Sequence, residues 1–585
     1  MLESDANSVC PDSLKGVVPG TARVAHLVGV CGSGMKALAE VLVARGWRVS
    51  GSDLQADSSA GESLRQRGVR VFVEHSASQI PADVELLVYS TAIKADNPER
   101  MWAAELGVPA LAYHEMLGEL MRNGGSVAVG TGGAPLSGGL RPSTDILQEF
   151  QGDRARVASS SGGLRPPLAC LGICIAGTHG KSTTTALTGC ILTSAGLDPT
   201  VLVGAEVCGR NANGWAGAGP HLVVESCEYQ RHFLSLRPQM AAILGIEADH
   251  FDCFADLEAT VQAFREFASL VPSDGLIVIH ADCAASRAAC TGAVAQVETF
   301  SMERGDRVAV GDPAGNFGEG KSRDADASGE SGGLRPPLAC AWKGNSRDAD
   351  ALGESGGLRP PLACAWRAVD IEKIPLGHRF RILHQGREFC TTQLRIPGRH
   401  HVLNALAAAA LCHRAGASPT QIAAGIEQFR GIRRRFEVLG DCDGVTLVDD
   451  YAHHPTAIRA TLRTAREEFG GRRLVCVFQP HQVSRTLGLI EDFSKSFWAA
   501  DEVWIVPVYG ARETYQRELI EVSTRLAEMV AAQGVAARFS GSLDQTRASL
   551  DDTLRPGDVL LTLGAGDIDR IHHACTRRLQ RNHSP

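Results

Sequence analysis

The sequence predicts an α/β chain built from nucleotide-binding units, and three observations predict it. At Leu171–Ala195 a short apolar run, a glycine loop with a lysine and a helical stretch follow one another. At Val24–Val43 an apolar run, a glycine turn and an amphipathic stretch repeat that order without the lysine. From Val445 to Leu563, strand-like runs alternate with helical ones, the pattern of a wound sheet.

The first unit opens with the strand Val24–Val30 and the turn glycines Gly29, Gly32 and Gly34. A helix with Met35, Leu38, Ala39, Leu42 and Val43 on one face follows, and Gly46 ends it. A second strand, Trp47–Ser50, leads to Asp53, where a dinucleotide fold keeps an acid for a ribose hydroxyl. The middle glycine of the G-x-G-x-x-G fingerprint is Cys31, which speaks against NAD and for a nucleotide diphosphate. The plain alternative for Gly34 is close packing of helix on sheet. Strand and helix signals continue through Val84–Ser90 and Ala103–Met121.

Between Arg122 and Leu171 the pattern breaks into glycine, serine and proline. The decamer SGGLRPPLAC stands at Ser161–Cys170 and returns at Ser331 and Ser355. Two adjacent copies cannot stack a core, so these read as extended surface inserts. Val127–Gly133 imitates a strand and phosphate loop but lacks the lysine.

At the central loop, Gly177 and Gly180 let backbone N–H groups and a helix N-terminus face phosphate oxygens. Lys181 adds a point charge, and Ser182 a hydroxyl for the magnesium ion that bridges the β- and γ-phosphates of ATP. The long P-loop pattern places a glycine where Ile175 stands, so this is a compact form; an ordinary glycine turn is the bland alternative. Two further apolar strands end in His221–Glu228 and in Glu247-Ala-Asp-His250. In a parallel sheet they emerge at the phosphate-loop edge, so Ser182, Glu225 and His250 are expected around one metal–nucleotide centre. The oxygen ligands suit magnesium, and the histidine leaves room for manganese. The alternative for His250 is a strand-end residue bonded to backbone.

The whole chain sets bounds. Its 585 residues suffice for about three or four domains. A net charge of -8 argues against a nucleic-acid binder. Met1–Pro11 has no apolar core, no stretch reaches membrane-spanning length, and the 17 cysteines form no C-x-x-C pair. A cytoplasmic protein without membrane insertion is expected.

These motifs together resemble the Mur ligases. The carriers are GVCGSGM (Gly29–Met35), SGSD (Ser50–Asp53), DNPE (Asp96–Glu99), GTHGKSTTT (Gly177–Thr185), IEADHFD (Ile246–Asp252), PGRHHVLNA (Pro397–Ala405), RRF (Arg434–Phe436), DDYAHHPT (Asp449–Thr456), FQPHQVSRT (Phe478–Thr486) and LGAGDI (Leu563–Ile568). The resemblance implies three domains: N-terminal Rossmann-like (22–122) for a UDP-sugar, central P-loop ATPase (171–430), and C-terminal Rossmann-like (431–585), with inserts at 123–170 and about 304–366. It implies ATP-driven amide synthesis on UDP-N-acetylmuramate, with L-alanine as acceptor, by a monomer or weak dimer. Gly32, Ser33, Gly34, Met35, Asp53 and Ser90 are then expected at the UDP-sugar. Gly177, Thr178, His179, Gly180, Lys181, Ser182, Thr183, Asn404 and Arg434 are expected at ATP.

Lys181, Glu225, His250, His453 and Arg485 carry the expected chemistry, with Tyr451 and His453 at the amino acid. His453 is a base candidate, with Asp449 and Asp450 as orienters; a pocket-shaping loop is the alternative. Arg485, and Arg434 on equal terms with surface salt bridging, would grip carboxylate or phosphate.

No lysine lies between His250 and Lys321, unlike members that add later peptide residues. A recycling ligase that accepts a tripeptide, and a nucleotide-binding protein without activity, are the competing readings. A nicotinamide dehydrogenase, suggested by the first unit alone, is disfavoured by Cys31 and the ATP site. Three positions depart from the family pattern: His401, Gly245 and Gln482.

Overall fold

The computed structural model describes residues 23–122, 170–303, 364–510 and 516–572. Most of the repeat-bearing inserts, and the lysine-free imitation at Val127–Gly133, lie outside them.

Among the described residues three sheets follow in chain order. The first comprises β1 (Val24–Val28), β2 (Arg48–Ser52), β3 (Arg70–Phe72), β4 (Leu86–Tyr89) and β5 (Ala110–Ala112), in the order 3-2-1-4-5. All its pairs are parallel. The order reverses beside β1, so the crevice lies where the glycine turn leaves that strand.

The second sheet runs through β6 (Leu171–Ala176), β7 (Thr200–Val207), β8 (Ala212–Trp215), β9 (His221–Glu225) and β10 (Pro238–Ile243). It continues with β11 (Leu276–His280), β12 (Gln296–Met302), β13 (Trp366–Ile374), β14 (Gly377–His384) and β15 (Arg387–Leu394). Its order is 15-14-13-12-11-10-6-9-7-8. Strands β9, β6 and β10 are parallel neighbours, so their C-terminal ends share one edge. The run β6 is buried on both faces, which its unbroken apolar sequence requires.

The third sheet holds β16 (Glu437–Cys442), β17 (Val445–Asp450), β18 (Leu474–Phe478), β19 (Glu502–Ile505), β20 (Ala536–Phe539) and β21 (Val559–Leu563), in the order 16-17-21-18-19-20. All pairs but β16–β17 are parallel.

The cores divide unevenly. One apolar cluster runs without a break from Leu27 and Leu38 of the first unit to Phe233, Phe264 and Phe267 of the second. The opposite face of the second sheet buries Trp366, Phe380 and the helices Lys181–Ser194 and His400–Arg414. The third sheet has clusters of its own around Phe478, Phe493 and Trp504.

One boundary needs correcting. The repeat tail Cys364-Ala365-Trp366, assigned to the insert, belongs to the sheet: Trp366 is buried and opens β13, and the Cys364 Sγ lies 3.2 Å from Ser301 Oγ. The same tail ends at Cys170 directly before β6, so each of these copies of the decamer closes at the entry to a strand.

Candidate active site

The loop between β6 and its helix has the backbone the glycines foretell. Gly177 and Gly180 adopt φ of +129° and +82°, a region that other residues enter at a cost. The helix starts at Lys181, because Gly180 completes the turn just ahead of it.

The Lys181 ammonium donates to the Gly177 carbonyl at 2.6 Å and to the Glu228 carboxylate at 2.9 Å. Burial would lower its pKa, but Glu228, with Cys227 and Glu225 adding to it, outweighs that and raises it, so it stays charged. Ser182 Oγ donates to Glu225 Oε1 at 3.1 Å, and Glu225 Oε2 accepts from the Gly204 N–H at 2.8 Å.

Thr178 ties the loop to the end of β10: its N–H donates to the Gly245 carbonyl at 2.8 Å, and its hydroxyl accepts from the Glu247 N–H at 2.9 Å. Thr183 is buried in the first helical turn. Asn404 reaches over from the helix His400–Arg414. A Cβ on Gly180 would sit 2.6 Å from its Oδ1, while its amide donates to His401 Nδ1 at 3.2 Å. The departure at His401 thus places a buried, neutral imidazole that steadies Asn404.

His250 stands beyond β10 with φ of +54°, a strained setting for a non-glycine. Its Nε2 lies 3.8 Å from Glu228 Oε1. Glu228 therefore contacts both Lys181 and His250, whereas Ser182 and Glu225 contact each other. Burial, opposed by Asp249 and Glu228, lowers the pKa of His250 and leaves the ring neutral. The hydroxyl of Ser182 and the carboxylate of Glu225 are in contact and are oxygen donors of the kind magnesium takes.

The third unit reaches this edge through Arg485, which is buried. Its Nε donates to Asp249 Oδ1 at 2.7 Å, and its Nη1 and Nη2 to His481 Nδ1 at 3.0 Å and His250 Nδ1 at 3.5 Å. Burial would raise the pKa of Asp249, but Arg485 drives it far below the carboxylate range. His453 donates from Nδ1 to the Tyr451 carbonyl at 2.9 Å, and its ring lies 5.7 Å from that of His481. Burial, then the charge of Arg485, holds His453 well below the usual histidine value. The Gln482 departure adopts φ of +66° at the start of the helix Val483–Gly488 that carries Arg485.

In the first unit, Gly32 and Ser33 are exposed at the turn, and a Cβ on Gly34 would meet the Tyr113 ring at 2.8 Å. The packing alternative for Gly34 therefore has direct support. Ser90 lies against the same turn, 3.0 Å from the place a Cβ on Gly29 would take.

Four of the expected residues have other partners in the structure. Met35 points into the apolar core, because position 35 is on the inner face of the helix Ser33–Ala44, so only its backbone can face a ligand. Asp53 spends both oxygens on backbone, accepting from the Cys31 N–H at 2.9 Å and the Gln55 N–H at 2.8 Å; it shapes the turn. Arg434 donates to Asp449 and to the carbonyls of Gly564 and Gly566, all within the third unit, as in the salt-bridging alternative. Asp449 and Asp450 do not orient His453: the former holds Arg434 and Thr562, the latter the Phe436 and Ala452 N–H groups.

Missed from the sequence were Glu228 and Asp249. Both lie in stretches already marked as acidic strand ends, but their partners come from other segments.

Fold and site define a three-unit α/β protein in which a basic residue of the last unit binds Asp249 and His250, beyond the strand next to the phosphate loop. Profiles for the Mur ligase family catalytic domain, middle domain and glutamate ligase domain match residues 24–124, 175–322 and 434–566. The UDP-N-acetylmuramate–L-alanine ligase of Alkaliphilus metalliredigens is 32% identical over 543 residues, 93% of this chain and 95% of that one. The chain belongs to the Mur ligase family.

Among solved structures, UDP-N-acetylmuramate-alanine ligase MurC from Thermotoga maritima matches with a TM-score of 0.67 at 22% identity, covering 96% of this chain and 100% of that one. A murein peptide ligase from Psychrobacter arcticus matches with 0.62 at 20%, covering 95% and 99%. At these identities both establish the fold alone.

Proposed function

We propose that the chain joins L-alanine to the lactyl carboxylate of UDP-N-acetylmuramate with cleavage of ATP, a step of peptidoglycan precursor synthesis carried out in the cytoplasm. The observation that carries this reading is the Lys181–Glu228 pair at the phosphate loop together with Arg485 of the third unit bound to Asp249 and His250 at the same sheet edge, in a chain similar over nearly its whole length to L-alanine ligases.

The first unit (22–122) would hold the UDP-sugar, the second (171–430) ATP, and the third (431–585) the amino acid. The carboxylate attacks the γ-phosphorus, ADP leaves and an acyl phosphate forms. The amine of L-alanine then attacks the acyl carbon, phosphate leaves and the amide nitrogen gives up a proton. Lys181 balances charge on the transferring phosphoryl group. A magnesium or manganese ion supplies further neutralisation when bound, and Ser182, Glu225 and His250 would hold it.

His453 commits Nδ1–H to the Tyr451 carbonyl, so its lone pair sits on Nε2, the tautomer that can accept the amine proton. Arg485 fixes Asp249 and His250 and covers the site, keeping water from the acyl phosphate. The test is product analysis: UDP-N-acetylmuramate, L-alanine and ATP should yield the alanyl amide and ADP in equal amounts. ADP without amide would overturn the reading.

A further inference from the structure

Beside the phosphate loop, three side chains outside the proposed magnesium set converge. His179 comes from the loop, Glu247 from the end of β10, and His454 from the third unit, ahead of the helix Pro455–Phe469. Each offers one ligand atom, and the three atoms lie within 4.8 Å of one another. His179 Nε2 is 3.4 Å from Glu247 Oε2, and His454 Nδ1 is 3.7 Å from the same oxygen. Donors around a tetrahedral ion with bonds of 2.0–2.1 Å stand about 3.3 Å apart, so a few tenths of an ångström of adjustment suffice. The ring planes of the two histidines are tilted by 52° rather than stacked, with centroids 4.9 Å apart.

We infer that His179, Glu247 and His454 form a second cation site, selective for a borderline ion of the zinc class, that pins the third unit to the second. Two imidazoles and one carboxylate match zinc, cobalt or nickel and suit magnesium poorly. Glu247 has the outer support such a ligand needs, since Thr456 Oγ1 donates to its Oε2 at 2.7 Å. His454 is buried, its Nε2 has no hydrogen-bond partner among the described residues, and its Nδ1 accepts a 3.3 Å contact from the Thr456 N–H, which an ion would replace. The His179 side chain is about a third exposed, while its Nε2, the ligand atom, is buried against Glu247. Because His454 and Thr456 belong to the third unit and His179 and Glu247 to the second, the site exists only with the two in contact, and an ion in it would favour that arrangement.

The test needs no substrate, so it is independent of the proposed reaction. Zinc is titrated into the full chain in excess magnesium, against a chromophoric chelator. The wild type should hold one tight equivalent that His454→Ala and Glu247→Gln lose, while His250→Ala keeps it. Thr456→Val retains all three ligands and should weaken zinc about 10- to 100-fold, which guards against a folding defect in the ligand variants. Equal zinc binding by all variants, or loss only in His250→Ala, would overturn the inference.

Discussion

Lys181 and Glu228 share one short, buried contact, and the phosphate loop depends on both members. Glu228→Gln removes the main counter-charge of Lys181 and the carboxylate facing His250. We expect its rate of ADP formation to fall on the order of 10²-fold, and that of Lys181→Met on the order of 10³-fold, with lowered melting temperatures because each variant leaves a buried charge unpaired.

Glycines here are not equivalent either. Gly180→Ala must hold a φ of +82° against Asn404, and should cost about 1–2 kcal/mol of stability and weaken ATP. Gly245→Ala enters open space and should shift stability by less than about 0.5 kcal/mol; chemical denaturation separates the two.

His400 provides a pH test. Burial, with Arg435 and His378 adding to it, lowers its pKa to about 4 from an ordinary 6.5. The unfolded chain therefore takes up the proton first. The stability this residue contributes is whole above pH 6.5 and is lost as the pH falls toward 4. His400→Gln should lessen the fall of the melting temperature over that interval, the other buried histidines keeping the rest.

At this scale the loop lysine, serine and acidic strand end were legible because each follows a strand in fixed order. Glu228 was not, since it lies three residues past β9 and its partners are set only by tertiary packing.

Among the elements, the apolar runs that became β6, β9 and β10 were readable because strands buried on both faces carry no polar positions to confuse the period. The span Ala103–Met121 was blurred: it divides into the helix Pro98–Leu106, β5 and the helix Tyr113–Arg122. Gly107, in the left-handed region, ends the first of these. The antiparallel extension β13–β15 escaped notice. Its strands follow directly on repeat sequence and expose many positions, as in Arg367, Asp370 and Glu372 of β13, so no apolar run announces them.

The helix Val483–Gly488 matters through what it carries across the seam. Arg485→Lys keeps the charge but cannot serve Asp249, His481 and His250 together. It should lower kcat/KM for the amino acid about 10- to 100-fold while ATP binding, measured by calorimetry, is retained.

For the molecule as a whole, the division of cores sets what moves. The first two units share one apolar cluster, and Glu40 locks them further by accepting from the Asn213 and Gly214 N–H groups at 2.7 and 2.8 Å. The third unit has separate cores and meets the second through polar pairs such as Arg485–Asp249 and Thr456–Glu247. Charged seams weigh less than shared apolar cores, so scanning calorimetry should resolve two transitions, one for the third unit and one for the first two together. A single cooperative transition would contradict this division.

The measurement that bears most directly on the central claim is acceptor-dependent ADP release by the purified chain with ATP, magnesium and UDP-N-acetylmuramate, comparing L-alanine, the L-Ala-γ-D-Glu-diaminopimelate tripeptide and no acceptor. The account predicts release with L-alanine alone. Release driven by the tripeptide, or none with any acceptor, would contradict it.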